Sequence, residues 1–283
     1  MSANRTIRPL RLLGGTLRGV LIIALVVSAG FPIYWMLTTA LGTSSELYNT
    51  GQVPFPQLQN LPQLVEQIAA VPLLGWMTNS LIVAVGTTVI SLVLGCLGGY
   101  ALSRFRFRGK GVVGFLLFIT QVLPEALVVV PIYALFISLG LLNNLWGLVI
   151  ANAGFALPVA TFVIKGAMDA IPREIEESAA IDGAPRMSML TMIVLPLIVP
   201  SLAAAAVMAF FSGWNEFLFA NTFLLDQSLW PASVGLASFI GQYDTPLPAV
   251  MGSALLFSLP AVVFFLIVQR KMVSGLTAGA VKG

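Results

Sequence analysis

The chain has 283 residues, 58% hydrophobic and only 9% charged, with a formal net charge of +3 and a mean hydropathy of +0.96. Soluble domains run at about 45–50% apolar and about 25% charged, so a soluble globule is excluded. There is no histidine and one cysteine, Cys96, which excludes an internal disulfide, a Cys/His metal site and a histidine-based catalytic set, and no basic face is present for a nucleic acid.

At about 20 residues per crossing, the apolar runs predict an all-α integral membrane protein forming a single transmembrane domain. Six spans are expected, at 17–40, 76–103, 112–138, 145–168, 197–222 and 249–270. Arg5, Arg8, Arg11 and Arg18 precede or open the first span, whose apolar run is long enough to remain in the membrane rather than serve as a cleaved leader. The 41–75 loop carries Pro54, Pro56, Pro62 and Pro72 and a short amphipathic piece at Leu61–Ile68. Span two holds Gly95, Gly98 and Gly99, a G-x-x-x-G ridge suited to close helix packing, with Cys96 as a small apolar neighbour.

Arg104, Arg106, Arg108 and Lys110 follow span two and read as an orientation signal in contact with lipid headgroups. Span three contains Pro124, Glu125 and Pro131; span four contains Pro158. Lys165, Arg173 and Arg186 lie between spans four and five. Span five carries Trp214-Asn215-Glu216-Phe217 and Asn221, and an external loop follows at 223–248. Span six contains Pro260 and leads to Arg270, Lys271 and a tail at 271–283 that includes Lys282. All 14 basic residues therefore fall on one side of a six-span path, which places both termini and the 169–196 segment in the cytoplasm by the positive-inside rule. No internal repeat points to a two-half carrier.

Residues 172–196 interrupt the apolar pattern. Pro172 suits the first turn of a helix, and Glu174, Glu176 and Glu177 place negative charge at its positive end. Gly183 can end that helix in a left-handed conformation, Pro185 blocks continuation, and a second helix runs from Arg186 to Leu195 before Pro196. Ile175, Ser178, Ala179 and Ala180 make a small-residue face that fits a groove of another protein. The alternative from the residues alone is a solvated amphipathic loop on the headgroups.

Glu177-Ser178-Ala179, three residues, Gly183, nine residues, Ile193, one residue, then Leu195-Pro196 resembles the EAA loop of ATP-binding-cassette importer permeases. Ser178 departs from the family's alanine, and Leu190 stands where sugar permeases often carry phenylalanine. Asp182-Gly183-Ala184, Trp214-Asn215-Glu216-Phe217 and the tail from Gly275 to Gly283 are similar to the carbohydrate branch, in particular the smaller maltose-type subunit. The resemblance implies a coupling element made of Glu177, Ser178, Ala179, Ala180, Asp182, Gly183, Ala184, Ile193, Leu195 and Pro196. It also implies tail contacts with the ATPase from Gly275, Leu276, Gly279, Lys282 and Gly283. The implied partners are a second permease chain in a heterodimer, two ATPase subunits and an external solute-binding protein, in the lipid of the inner (plasma) membrane. Read without the family, the tail would be disordered.

No cofactor is expected on this chain. It lacks the G-x-x-x-x-G-K-[ST] phosphate loop, because Arg104 stands at the first glycine position and Gly111 follows Lys110; ATP and Mg belong to the partner ATPases. The chain is expected not to be an enzyme and to have no catalytic or metal-binding residues. Ionisable groups within spans are costly and face a protein or water-filled interior. Glu125 and Glu216, with Trp214, Asn215 and Asn221, are candidates to line a sugar path, while the other reading of both acids is interhelical hydrogen bonding. The expected function is half the translocation path of an ATP-driven saccharide importer. Alternatives are a permease of the same architecture for glycerol phosphate or another non-sugar solute, an ion-coupled secondary carrier, or a carboxylate-based intramembrane enzyme.

Overall fold

A bilayer leaves no water for exposed backbone groups, so an apolar chain of this kind must satisfy them within helices. The computed structural model describes residues 7–50, 55–240 and 245–280, with side chains for 17–47, 49, 55–240 and 245–272. Among the described residues all regular elements are helical. In chain order they are α1 (Ile7–Ala40), α2 (Ser44–Thr50), α3 (Leu61–Ala69), α4 (Leu73–Arg104), α5 (Lys110–Ile119), α6 (Glu125–Leu139) and α7 (Leu145–Asp169). Then come α8 (Arg173–Ile181), α9 (Arg186–Leu197), α10 (Val199–Trp214), α11 (Leu218–Phe223), α12 (Ala232–Ala237) and α13 (Leu247–Ala280).

Five stretches are long and apolar enough to cross a membrane: Leu17–Ala40, Leu73–Arg104, Leu145–Asp169, Val199–Phe223 and Leu247–Met272. The expected span at 112–138 differs. It is two helices, α5 of 10 residues and α6 of 15, each shorter than the roughly 20 needed to cross. The break has a local cause. Thr120 closes α5 by donating its hydroxyl to Leu117 O at 2.8 Å, and Pro124 sits extended at φ −62°, ψ 126°, which restarts the helix at Glu125. A second break separates α10 from α11 inside the Val199–Phe223 stretch, at Asn215–Phe217.

The chain divides into two compact units, residues 1–71 with 239–256, and residues 72–238 with 257–283. In the first, α3 is the amphipathic piece expected in the 41–75 loop, and its Leu64 is buried among Ala40, Leu41, Ile68, Met251 and Leu255. Helix α2 is opened by a Thr43/Glu46 capping box: the Thr43 hydroxyl donates to Glu46 Oε2 at 2.9 Å and accepts from Glu46 N at 3.3 Å. Hydrogen bonds from Thr43 and then Gln57 hold the Glu46 carboxyl below the usual carboxylate range.

In the second unit α4 lies along α7, and the Gly95/Gly99 ridge is the contact. A Cβ at Gly99 would come within 3.2 Å of Ile164 Cγ2 and of Lys165 N, tighter than most real Cβ contacts, so glycine lets the two helices lie this close without displacement. One core gathers Val83, Leu148, Val149, Phe219 and Phe223. Another gathers Tyr100, Ile164, Met168, Leu190 and Val194.

Candidate functional site

Helix α8 begins after Pro172, whose φ of −56° and ψ of 135° turn the chain into the first helical residue, with Glu174 and Glu176 in the first turn. It ends as the glycine requires. Gly183 has φ +82°, and the amides of Asp182, Gly183 and Ala184 return to the carbonyls of Ser178, Ala180 and Ala179 at 3.2, 3.1 and 3.0 Å, satisfying groups that the helix end would orphan. Pro185, at φ −68° and ψ 152°, redirects the chain into α9. The middle of α9, Met189–Val194, is π-helical, just before Pro196, which has no amide to donate.

Helix α8 is fastened by one buried carboxylate. Glu176 Oε2 accepts from the Tyr100 hydroxyl at 2.8 Å and Glu176 Oε1 from Arg104 Nε at 2.5 Å. The side chains of the Arg104–Glu176 pair are only 10% and 11% exposed. Arg104 also donates to Ile171 O at 3.1 Å and Ser103 Oγ at 3.3 Å. Ser103 Oγ in turn donates to Asp169 Oδ1 at 2.6 Å, and Lys165 pairs with Asp169 at 2.5 Å. Arg173 reaches Ser103 O at 3.3 Å, and the Arg186 guanidinium lies 4.9 Å from the centre of the Phe105 ring. The ends of α4 and α7 and the start of α8 thus form one polar joint.

Sequence reasoning missed this joint. It assigned the whole Arg104–Lys110 group to headgroups, whereas Arg104 is buried in protein and Lys110 donates to Phe105 O at 3.3 Å; Arg106 and Arg108 remain exposed.

The other face of α8 is uncovered. Glu177, Ser178, Ala180, Asp182 and Gly183 are exposed, Ala179 and Ala184 half-buried, and Ile181 is 87% exposed. Among the described residues little covers this isoleucine at the helix tip. On α9, Ile193 and Leu195 are half-buried and Pro196 is exposed.

A cavity of about 200 Å³ opens at the α5–α6 break, lined by Thr120, Gln121, Glu125, Phe155, Met208 and Ser212 among others. Phe155 lies in the middle stretch of α7, and Ser212 lies two residues before the end of α10, midway along the Val199–Phe223 stretch. Phe155 is about 15 Å along α7 from its first residue and about 21 Å from its last, at 1.5 Å per residue. Of the five residues predicted to line a path, Glu125 alone reaches this cavity. Glu216 is buried at the second break, accepting from Phe219 N at 2.6 Å, while the Ser233 hydroxyl donates to the Glu216 carbonyl. Trp214 is 1% exposed and stacked on Phe257 at 4.8 Å and on Phe210 at 5.7 Å. Asn215 and Asn221 are exposed, Asn215 on an apolar cleft beside Phe211 and Phe265.

Gly275, Leu276 and Gly279 fall in the last turns of α13. Lys282 and Gly283, like Arg5, lie outside the described residues. Among the described residues no three His, Cys, Asp or Glu side chains come together as metal ligands.

The pattern of the family described as binding-protein-dependent transport system inner membrane component matches residues 88–274, a range that contains the joint, the α8–α9 turn and both breaks. The sulfoquinovosyl glycerol transport system permease protein of Agrobacterium fabrum is 31% identical over 270 residues, covering 95% of each chain. The diacetylchitobiose uptake system permease protein of Streptomyces coelicolor is 34% identical over 277 residues, 96% of this chain and 99% of the relative. In fold the chain is similar to one from a bacterial ABC transporter involved in the import of the acidic polysaccharide alginate, with a TM-score of 0.76 at 22% identity, over 95% of this chain and 99% of that one.

Proposed function

Because the chain belongs to the binding-protein-dependent transport system inner membrane component family, and is therefore a multi-pass permease subunit, we propose that it forms half of a saccharide path and couples it to cytoplasmic ATPases. In this reading α5 and α6 together make the third of six crossings, and both termini face the cytoplasm, as the one-sided distribution of Lys and Arg supports. The partners are a second permease chain, two ATPase subunits that carry ATP and Mg, and an external solute-binding protein.

The observation that carries the coupling role is the joint. When the ATPases close on ATP they move the helix seated in their groove, and a helix transmits that movement only if its other side is fixed to the spans. Glu177–Ala184 offers the groove-facing side, with Ile181 as anchor, and Glu176 fixes the opposite side to Tyr100 and Arg104 of α4. Displacement of α8–α9 is then passed to α4 directly and to α10 through Ile193, Leu195 and Pro196, which biases a two-state membrane element. Saccharide as the cargo is supported by the solutes named for the two relatives, and no observation favours glycerol phosphate or ion coupling. Asn215 and Asn221 supply amides to the path, while the caged Trp214 and Glu216 hold the break that displays them.

Reconstitution with the partner permease, ATPase and binding protein, scanned over saccharides, is the test: at least one saccharide is expected to stimulate ATP hydrolysis several-fold. A preparation that responds only to non-sugar solutes would overturn the cargo. The tail is read as a second ATPase contact through Gly275, Leu276, Gly279, Lys282 and Gly283. Deleting 275–283 is expected to lower ATPase retention on the purified complex, and unchanged retention together with unchanged hydrolysis would make the tail a passive extension.

A further inference from the structure

Backbone that leaves the helical pattern inside a membrane is tolerated where it is buried in protein or lines a water-filled cavity. The α5–α6 break does line one, and it sits near the middle of α7 and of the Val199–Phe223 stretch. The same place holds an exposed carboxylate, Glu125, which no cation pairs with among the described residues. An acid so placed faces a protein or aqueous interior, because facing lipid is costly.

The polar groups around the cavity are mostly acceptors. The Glu125 carboxylate offers two oxygens. Gln121 spends one amide hydrogen on Phe155 O at 3.0 Å, which fixes its side chain and leaves its Oε1 as an acceptor beside one remaining amide hydrogen. The Thr120 hydroxyl hydrogen is spent on Leu117 O, so that oxygen also accepts. Ser212 completes the polar wall, with Phe155 and Met208 as the apolar one. Among the described residues no Lys or Arg lines the cavity. A wall rich in acceptors and free of cations suits hydroxyl donors and repels anions. At about 200 Å³ the cavity is smaller than the roughly 300–1,000 Å³ of pockets that enclose a drug-sized ligand, so it takes part of a ligand, one ring or a polyol end.

We infer that this cavity is a cargo subsite of this chain that accepts uncharged, hydroxyl-rich saccharide units through Glu125 and Gln121 and rejects acidic ones. The inference rests on the importer reading above and sharpens it: the charge of the cargo is screened here, at the break in the third crossing.

The test uses the complete transporter in proteoliposomes with Cys96→Ala and Ser212→Cys, labelled by a water-soluble maleimide. Ser212→Cys is expected to react, and an uncharged disaccharide that the transporter takes up should slow the reaction at least fivefold. A uronate-containing disaccharide at the same concentration should leave it unchanged. In uptake assays Glu125→Gln is expected to raise KM for the uncharged disaccharide about tenfold. It should also allow the uronate sugar to compete, which a merely structural role for Glu125 would not produce. An unreactive Ser212→Cys, labelling indifferent to the transported sugar, or equal protection by both sugars overturns the subsite while leaving the importer intact. A wild-type complex that takes up no saccharide at all overturns the importer reading, and the subsite falls with it.

Discussion

Arg104→Ala is expected to abolish most saccharide uptake while leaving the chain inserted in the membrane. The substitution removes the cation from a pair whose side chains are 10% and 11% exposed and leaves Glu176 with a buried, uncompensated charge. Breaking such a pair from one side costs about 3–5 kcal/mol, which is roughly a hundredfold or more in the equilibrium between fastened and released α8. The helix would swing free of α4 before the lipid-embedded spans themselves unfold, since the α4–α7 contact at Gly95 and Gly99 is untouched. Uptake and the melting temperature of the purified complex are the measurements. Adding Glu176→Gln to Arg104→Ala removes the orphaned charge and keeps an acceptor for the Tyr100 hydroxyl, so the double variant should recover part of both. A single variant with wild-type uptake and melting would show that the joint carries no load.

Gly183→Val is expected to have the second largest effect. Gly183 sits at φ +82° with nothing within 4 Å of an added Cβ, so the substitution fails by backbone strain and not by collision. The left-handed conformation costs an ordinary L-residue about 1–2 kcal/mol, and a β-branched one is a conformational outlier there. The chain relieves the strain by leaving the left-handed region, which breaks the returns from Gly183 and Ala184 to Ala180 and Ala179 and re-aims α8 relative to α9. Membrane level should stay normal, because the turn lies outside the spans, while uptake and saccharide-stimulated ATP hydrolysis fall by an order of magnitude or more. Gly183→Asn should be milder, since asparagine adopts this conformation more readily than other side chains.

These two sites differ in how readable they were. The α8–α9 turn follows from local rules: Pro172 opens, Gly183 reverses, Pro185 blocks, and each effect reaches only a few residues. The amphipathic α3 was legible for the same reason. The joint was not, because Tyr100 and Glu176 are 76 positions apart in sequence, and no spacing rule brings an arginine after one span to a glutamate beyond another two. The Arg104–Lys110 group looked uniform as charge and proved to be divided by burial. The break at 120–124 left a signal that a span-length window averages away: Thr120-Gln121 followed three residues later by Pro124-Glu125 is a polar stop and a proline restart. Glu125 was found because an acid in an apolar run is conspicuous, but its cavity depends on Phe155 and Ser212 from helices that only the fold brings near. Trp214 illustrates the converse, since it stood among the candidates to line a sugar path and the fold covers it with Phe210 and Phe257.

On the proposed coupling role the outer face of α8 seats in an ATPase, and Ile181, the most open apolar side chain on it, reports that directly. With Cys96→Ala and Ile181→Cys, a short thiol-to-amine crosslinker added to membranes containing the whole transporter is predicted to join this chain to the ATPase subunit, and Gly183→Val in the same background should weaken the adduct severalfold. An assembled, transporting complex in which Ile181→Cys gives no adduct with the ATPase would contradict the account.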